Sequence, residues 1–287
     1  MDTLFVTHLL NGVLMVLMPV GLGIVLARRF GLGGRLWWIG AITFVLSQVG
    51  HIPFNAAIGL LFKQGVLPAP PESWRLAFNA VFLGLSAGVW EELARYATYR
   101  WWAKEARSWR TGLMLGAGHG GIEAIILGVL VLIAFISMVA YRNIDLSGVV
   151  PPEQLGLAQQ QMQSYWSAPW YATLLGALER AFTIPFHLSC SLLVLQTFIR
   201  RQSRWLWLAV GWHALADGFA VISAGIWGVY LTEAFIGMFA LASLGIIFAL
   251  RQPEPEQPLA PPLPVAPLPE IIPVEENPEN LDTTRYQ

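Results

Sequence analysis

The chain of 287 residues is 55% hydrophobic and only 12% charged, with a mean hydropathy of +0.56. Soluble domains carry about 25% charged residues, so this composition excludes an ordinary soluble protein and predicts an integral membrane protein in contact with a lipid bilayer. The net charge of -1 offers no basic surface of the kind that nucleic acid binds, so no nucleic-acid partner is expected.

Seven segments of about 20 or more mostly apolar residues are long enough to cross a bilayer. In chain order they cover residues 4–27, 36–62, 76–99, 111–140, 170–199, 205–224 and 227–250. No basic residue precedes the first segment, so we expect it to stay in the membrane rather than to be removed as a signal peptide. The predicted fold class is an all-α integral membrane protein with seven transmembrane helices.

Basic residues are concentrated in the loops after the first, third and fifth segments, and these loops hold Arg28, Arg29, Arg35, Arg100, Lys104, Arg107, Arg110, Arg200, Arg201 and Arg204. The opposite loops hold only Lys63, Arg75 and Arg142. The positive-inside rule therefore predicts an N-terminus outside and a C-terminus in the cytoplasm. The expected location is the plasma membrane, as a multi-pass protein.

Two stretches lie outside the predicted spans. Residues 142–169 are expected to form a longer external loop with an amphipathic interfacial turn. Residues 252–287 are rich in Pro, Glu and Gln and poor in large apolar side chains, which predicts a disordered cytoplasmic tail. The domain prediction is thus a polytopic membrane domain over 1–251 and a tail over 252–287.

Ionisable side chains recur inside four of the predicted spans, although each such group costs roughly 2.5–3.5 kcal/mol on insertion into hydrocarbon. They form the motifs Glu91-Glu92-x-x-Arg95, His119-x-x-x-Glu123, Glu179 with His187, and His213-x-x-x-Asp217. Counted from the basic loops at about 1.5 Å per residue, five of these groups lie at similar depths, about 13 to 20 Å along their helices: Glu91, His119, His187, His213 and Asp217. Residues four apart share a helix face, so the motifs predict a polar chamber enclosed by the third, fourth, fifth and sixth spans.

The residue types in this chamber match those that bind zinc. His119, His187 and His213 come from three different spans, and catalytic zinc sites typically use three protein ligands and a water. Taken alone, Glu91 and Arg95 could be a structural ion pair, but the adjacent Glu92 leaves one carboxylate in need of another partner. We therefore expect Zn²⁺ as a cofactor.

Four other features have structural interpretations. His51, with Ser47 and Asn55 one turn away on either side, indicates a hydrogen-bond network. Glu233 lies near the end of the last span and is expected to reach the membrane interface. Cys190 lies in an apolar run, which favours a small buried core residue over a catalytic one. The glycines spaced by four residues, Gly112, Gly116 and Gly120, predict close packing of the fourth helix.

The four motifs, with Gly118-His119-Gly120-Gly121 and Pro185-Phe186-His187 around them, resemble the YhfC family of bacterial intramembrane metallopeptidases. That family is similar to a wider group that includes the CAAX prenyl endopeptidases, the PrsW proteases and a non-catalytic subunit of γ-secretase. The resemblance implies an intramembrane metalloendopeptidase that acts on a membrane-embedded or membrane-proximal polypeptide.

The resemblance also implies roles for individual residues. Glu91 and Glu92, with His187, would activate water, while His213 and Asp217 would bind metal or stabilise the oxyanion. Supporting roles fall to Arg95, Glu123 and Glu179.

Three alternatives to a peptidase remain open from the sequence. A non-catalytic membrane scaffold could keep the architecture without hydrolysis, and a proton-coupled transporter could use the carboxylates and histidines as a relay. A haem protein would need two of the histidines as axial ligands.

Overall fold

The computed structural model describes residues 2–252, which form eight α-helices and no β-strand. The helices are α1 (Thr3–Phe30), α2 (Arg35–Lys63), α3 (Arg75–Ala97), α4 (Trp109–Tyr141), α5 (Pro152–Ser167), α6 (Leu175–Ile199), α7 (Arg204–Trp227) and α8 (Val229–Ala249). All but α5 are long and apolar enough to span a bilayer, which confirms the seven predicted spans. The tail predicted over 252–287 lies, from position 253 onward, outside the residues that the structure describes.

Local signals set the helix ends. Asp2 caps α1, because its carboxylate accepts a hydrogen bond from the backbone N–H of Leu4. Gly31 ends the same helix in the left-handed conformation, at φ 65°. Ser108 and Thr111 form a reciprocal capping box at the start of α4.

The loop predicted at 142–169 differs from expectation. It holds α5, a complete helix of 16 residues, where the sequence indicated only an amphipathic turn. Four half-buried residues, Leu155, Ala158, Met162 and Tyr165, recur at intervals of three or four, Trp166 is half-buried beside them, and the other side chains are exposed. The stripe is short, and the surrounding glutamines lower the mean hydropathy of the segment.

The bundle is organised around α4 and α6, which pack against each other. Helix α4 also contacts α1 and α2, and α6 also contacts α1, α3, α7 and α8. The most extensive pairing joins α3 to α7. The two helices that carry His119 and His187 therefore lie at the centre of the bundle, and α3 and α7 complete the enclosure.

Glycines on α4 allow this close packing, as their spacing predicted. A Cβ atom at Gly120 would lie 2.8 Å from the Cβ of His187 on α6. A Cβ atom at Gly118 would collide with the backbone carbonyl of Trp37 on α2. Any larger residue at these two positions would force the helices apart.

The outer surface of the bundle is apolar. Its exposed side chains include Val49, Leu130, Trp207 and Leu241, from four different spanning helices. Contiguous apolar surface of this kind is stable against lipid and unfavourable in water. The chain is therefore a multi-pass membrane protein.

Candidate functional site

The double glutamate lies on the buried face of α3. Glu91 is 6% exposed and Glu92 is fully buried, with Arg95 one turn further along the helix. Arg95 forms a direct ion pair with Glu92, whereas its Nη2 lies 3.7 Å from Glu91 Oε2. The arginine therefore neutralises Glu92 first, and Glu91 takes its hydrogen bonds from other groups.

Two of the predicted histidines contact these glutamates directly. His119 Nε2 on α4 lies 3.0 Å from Glu91 Oε2. His213 Nδ1 on α7 lies 2.6 Å from Glu92 Oε1, and its Nε2 lies 3.4 Å from Asp217 Oδ2. A carboxylate can only accept, so in each contact with a glutamate the imidazole nitrogen donates.

The third histidine, His187, is held on both sides. Arg95 Nη2 lies 2.8 Å from His187 Nδ1, and His187 Nε2 lies 2.7 Å from Glu123 Oε2. A guanidinium has no acceptor, so Nδ1 accepts from Arg95 and the imidazole proton sits on Nε2, which donates to Glu123. His187 thus joins the double glutamate of α3 to Glu123 of α4.

Arg180 is a site residue to which the sequence interpretation gave no role. Its Nη1 donates to Glu123 Oε1 at 2.6 Å, and its Nη2 forms an ion pair with Glu179. This arginine neutralises the second pair of acids, much as Arg95 neutralises Glu92. Its position next to Glu179 inside a predicted span was the signal that could have identified it.

These side chains surround a cavity of about 130 Å³, which has room for several water molecules. The polar lining consists of Glu91, Glu123, Glu179, Arg180, Thr183, His187, His213 and Asp217. The side chains of Glu179 and Asp217 are 35% and 42% exposed, so the cavity is reached from their side. The predicted polar chamber between α3, α4, α6 and α7 is therefore present in the structure, with α8 as an additional wall.

Within residues 2–252, two groups of side chains have donor atoms close enough together to share a metal ion. Glu91, His119 and His187 form one group, in which the donor atoms lie within 4.8 Å of one another. Glu92, Cys190 and His213 form the other, by the same measure. The three histidines predicted as a zinc set are therefore divided between two groups, although their rings remain adjacent, at 5.5 and 5.9 Å between centroids.

The first group suits a divalent metal in its chemistry. It offers one carboxylate and two imidazoles, a donor set found in catalytic zinc sites. His119 Nδ1 is buried and has no hydrogen-bond partner within the described residues, so one imidazole nitrogen of this group is unpaired. An unpaired buried nitrogen is unfavourable unless a ligand uses it, and this favours a bound ion.

Two of the other sequence interpretations are confirmed. Cys190 is buried as expected, and it also lies in the second metal-type group. His51 forms a hydrogen-bond network, in which Asn55 and Gln48 are direct partners. In contrast to the expectation that it extends to the membrane interface, Glu233 is only 6% exposed on α8, and its Oε2 has no partner among the described residues.

Gln48 is the second residue that the sequence interpretation missed. Its Nε2 donates to Glu91 Oε1 at 3.1 Å, so this α2 side chain touches the central carboxylate of the site. A neutral amide costs less in a membrane span than a charge, and for that reason it did not stand out from the sequence.

Known proteins resemble the chain over most of its length. The model of the YhfC intramembrane metalloprotease family matches residues 14–239. The uncharacterized membrane protein YhfC of Bacillus subtilis (strain 168) is 30% identical over 223 residues, which cover 74% of this chain and 82% of that protein. No solved structure matches the chain. The matched range includes every residue of the polar site.

Proposed function

Because the chain belongs to the YhfC intramembrane metalloprotease family, we propose that it hydrolyses a peptide bond of a membrane-embedded or membrane-proximal polypeptide. The observation that supports this proposal is the position of Glu91 at a cavity inside the bundle that has room for several water molecules, next to two histidines. The wider relation to the CAAX and PrsW proteases stays a prediction from the motifs.

Glu91 is the carboxylate best suited to accept a proton. Glu92 is paired with Arg95, and Glu123 and Glu179 are paired with Arg180. Glu91 accepts instead from a neutral amide and an imidazole, and it lines the cavity. In the proposed mechanism a water in the cavity gives its proton to Glu91 as it attacks the scissile carbonyl. Glu91 then passes this proton to the leaving amine as the C–N bond breaks, and so returns to the carboxylate form.

The neighbouring groups position the reactants. Arg95 holds Glu92 and His187 in place, and Glu92 in turn orients His213 through its Nδ1. Because Nδ1 of His213 donates to Glu92, its Nε2 can donate as well only when the ring is an imidazolium. In that form Nε2, which faces Asp217 and the cavity, can donate to the developing oxyanion. Glu123 performs the same orienting role for His187 Nε2.

The residues that would hold a zinc ion are His119 and His187, with one carboxylate oxygen of Glu91 as the third donor and its other oxygen left for the proton of the water. To bind zinc, His187 would exchange its contact with Arg95 or Glu123 for the metal. A bound zinc ion would polarise the carbonyl and acidify the attacking water. This proposal keeps the roles that the resemblance implies for Glu91 and His213. It gives Glu92 a positioning role in place of water activation, and it makes His187 a metal ligand.

The proposal can be tested by elemental analysis of the detergent-purified protein, with zinc and iron measured per chain. We expect about one zinc per chain in the wild type and a loss of zinc in Glu91→Ala and His119→Ala. His8→Ala is the matched control, because the ring of His8 stacks on that of Tyr165 and His8 is not a residue of the polar site. Stoichiometric iron in place of zinc would support the haem alternative.

Hydrolysis itself needs a second experiment. The zinc-loaded protein is reconstituted into liposomes with a library of fluorescence-quenched transmembrane peptides, and cleavage is followed with and without a chelator. Cleavage that is lost in Glu91→Gln but kept in His8→Ala would support the peptidase. If the wild-type protein binds zinc and yet cleaves nothing in a library that covers varied sequences, the non-catalytic scaffold becomes the better hypothesis.

A further inference from the structure

The side chains of Gln48, His51 and Asn55 form a polar stripe on α2 that ends at Glu91. They are spaced by three and four residues, so they share one face of a helix that otherwise exposes apolar side chains to lipid. Gln48 Nε2 lies 3.1 Å from Glu91 Oε1, and Gln48 Oε1 lies 3.3 Å from His51 Nδ1. Asn55 Nδ2 lies 2.9 Å from His51 Nε2.

With a neutral His51 ring, the hydrogen bonds of this stripe permit only one assignment of donors and acceptors. The carboxylate of Glu91 accepts, so the NH₂ group of Gln48 faces it and the Gln48 carbonyl oxygen faces His51. His51 must then carry its proton on Nδ1, where it donates to Gln48. Its Nε2 is left as an acceptor, for the amide of Asn55 and for the hydroxyl of Ser86, whose Oγ lies 3.1 Å away.

We propose that Gln48 is a positioning residue for Glu91, and that His51 and Asn55 fix the orientation of the Gln48 amide. A reversed amide would place its oxygen against the carboxylate, which is repulsive, and the proton on His51 Nδ1 excludes that orientation. Glu91 is thereby held at both oxygens, by Gln48 at Oε1 and by His119 at Oε2. This inference rests on the proposed role of Glu91 in catalysis.

The hydrogen bond from Gln48 is needed because no cationic side chain among the described residues lies within hydrogen-bond distance of Glu91, since His213 Nε2 is 3.8 Å from its Oε2. Arg95 forms its direct ion pair with Glu92 and leaves Glu91 Oε2 at 3.7 Å. Without the amide of Gln48, the hydrogen bond from His119 would be the sole short contact that holds the Glu91 carboxylate among the described residues. The carboxylate could then rotate away from His119 and from the proposed metal site.

Nitrogen-15 NMR of the imidazole rings tests the proposal without a substrate or a metal. The chain has five histidines, so the spectrum of selectively labelled protein in detergent is simple enough to assign by single substitutions. His51→Ala identifies the His51 signals, and His119→Ala those of His119. In the wild type, we expect the His51 signals of a neutral ring with its proton on Nδ1.

The decisive variant is Gln48→Met, which keeps the side-chain size and removes the amide. We expect it to shift the His119 signals, because Glu91 Oε2 moves, and to leave those of His8 unchanged, because His8 stacks on Tyr165. His51→Ala should shift the His119 signals in the same direction by less. Asn79→Ala, which removes an exposed amide from α3, is the control and should change none of them.

A second measurement, zinc affinity by competition with a chromophoric chelator, separates this inference from the proposed function. Loss of a hydrogen bond that orients a metal ligand typically weakens metal binding about 10–100-fold, and we expect a loss of zinc affinity in that range for Gln48→Met. If the wild-type protein binds no zinc, the metal-dependent function fails, and the NMR comparison still decides the role of Gln48. Unchanged His119 signals in Gln48→Met, or a His51 proton on Nε2, would overturn the inference.

Discussion

Replacement of Arg95 by methionine should destabilise the bundle strongly, because it leaves a buried carboxylate without its counter-charge. Arg95 is 3% exposed, pairs directly with the fully buried Glu92, and donates to His187 Nδ1 at 2.8 Å. Methionine is close in length but supplies neither the charge nor the donors. Removal of one partner of a buried ion pair typically costs about 3–5 kcal/mol, and we expect the free energy of unfolding to fall by that amount.

A second substitution shows whether charge is the cause. In Glu92→Gln/Arg95→Met the unpaired carboxylate is gone, so the double variant should be more stable than Arg95→Met alone. The interaction energy from the double-mutant cycle should approach the upper end of the usual range, about 2–3 kcal/mol. A purely steric effect of the methionine would leave this energy near zero.

The assay is reversible denaturation in mixed detergent micelles, followed by circular dichroism. Arg35→Met provides the control, because Arg35 pairs with Glu105 at 2.6 Å in an ion pair whose side chains are 67% and 55% exposed. An exposed pair of this kind contributes about 0–1 kcal/mol. The reasoning would be refuted if Arg95→Met lowered the free energy of unfolding no more than Arg35→Met does.

Three further predictions concern packing, backbone conformation and pH. Gly120→Ala should lower the free energy of unfolding by about 1–3 kcal/mol, because the new Cβ would clash with His187 on α6. Gly59→Ala is the control and should be neutral or stabilising, because no atom lies within 4 Å of its new Cβ. Gly228→Ala should cost about 1–3 kcal/mol in the same assay, because φ 78° with ψ 178° is a conformation that essentially only glycine adopts. The hydrogen bond from Arg142 lowers the pKa of Asp2 below its ordinary 3.8. The wild type should therefore be more stable than Arg142→Leu above about pH 4, and this difference in unfolding free energy should disappear as the pH falls through the lowered pKa. A difference that stays constant across that range would contradict the prediction.

The sequence was a good guide to the spanning helices and to the depth of the polar groups. Hydropathy located all seven spans, because a run of about 20 apolar residues has few alternatives to a membrane helix. Helix α5 was missed because it is short and polar on most of its surface. The cost of a charge in hydrocarbon explains why Glu91, His119, His187 and His213 could be chosen from sequence alone.

The partners of these residues could not be predicted in the same way. The spacing of His119 and Glu123 placed them on one face of α4, but it did not show that one would contact Glu91 on α3 and the other His187 on α6. Such contacts depend on the rotation and height of each helix relative to its neighbours. Those quantities follow from packing across the whole bundle, and the glycine spacing on α4 predicts close packing without showing which helix contacts which face.

The glycines of α4 connect this packing to the chemistry of the site. Gly118 lets the backbone of α4 approach α2 at Trp37, and Gly120 lets it approach α6 at His187. His119 lies between these two glycines, so the contacts that fix the height and rotation of α4 also fix the position of its imidazole. With α2 this close, Gln48 can reach Glu91 Oε1 while His119 reaches Oε2 of the same carboxylate. A larger residue at either glycine should therefore disturb Glu91 from two sides, although neither glycine touches it.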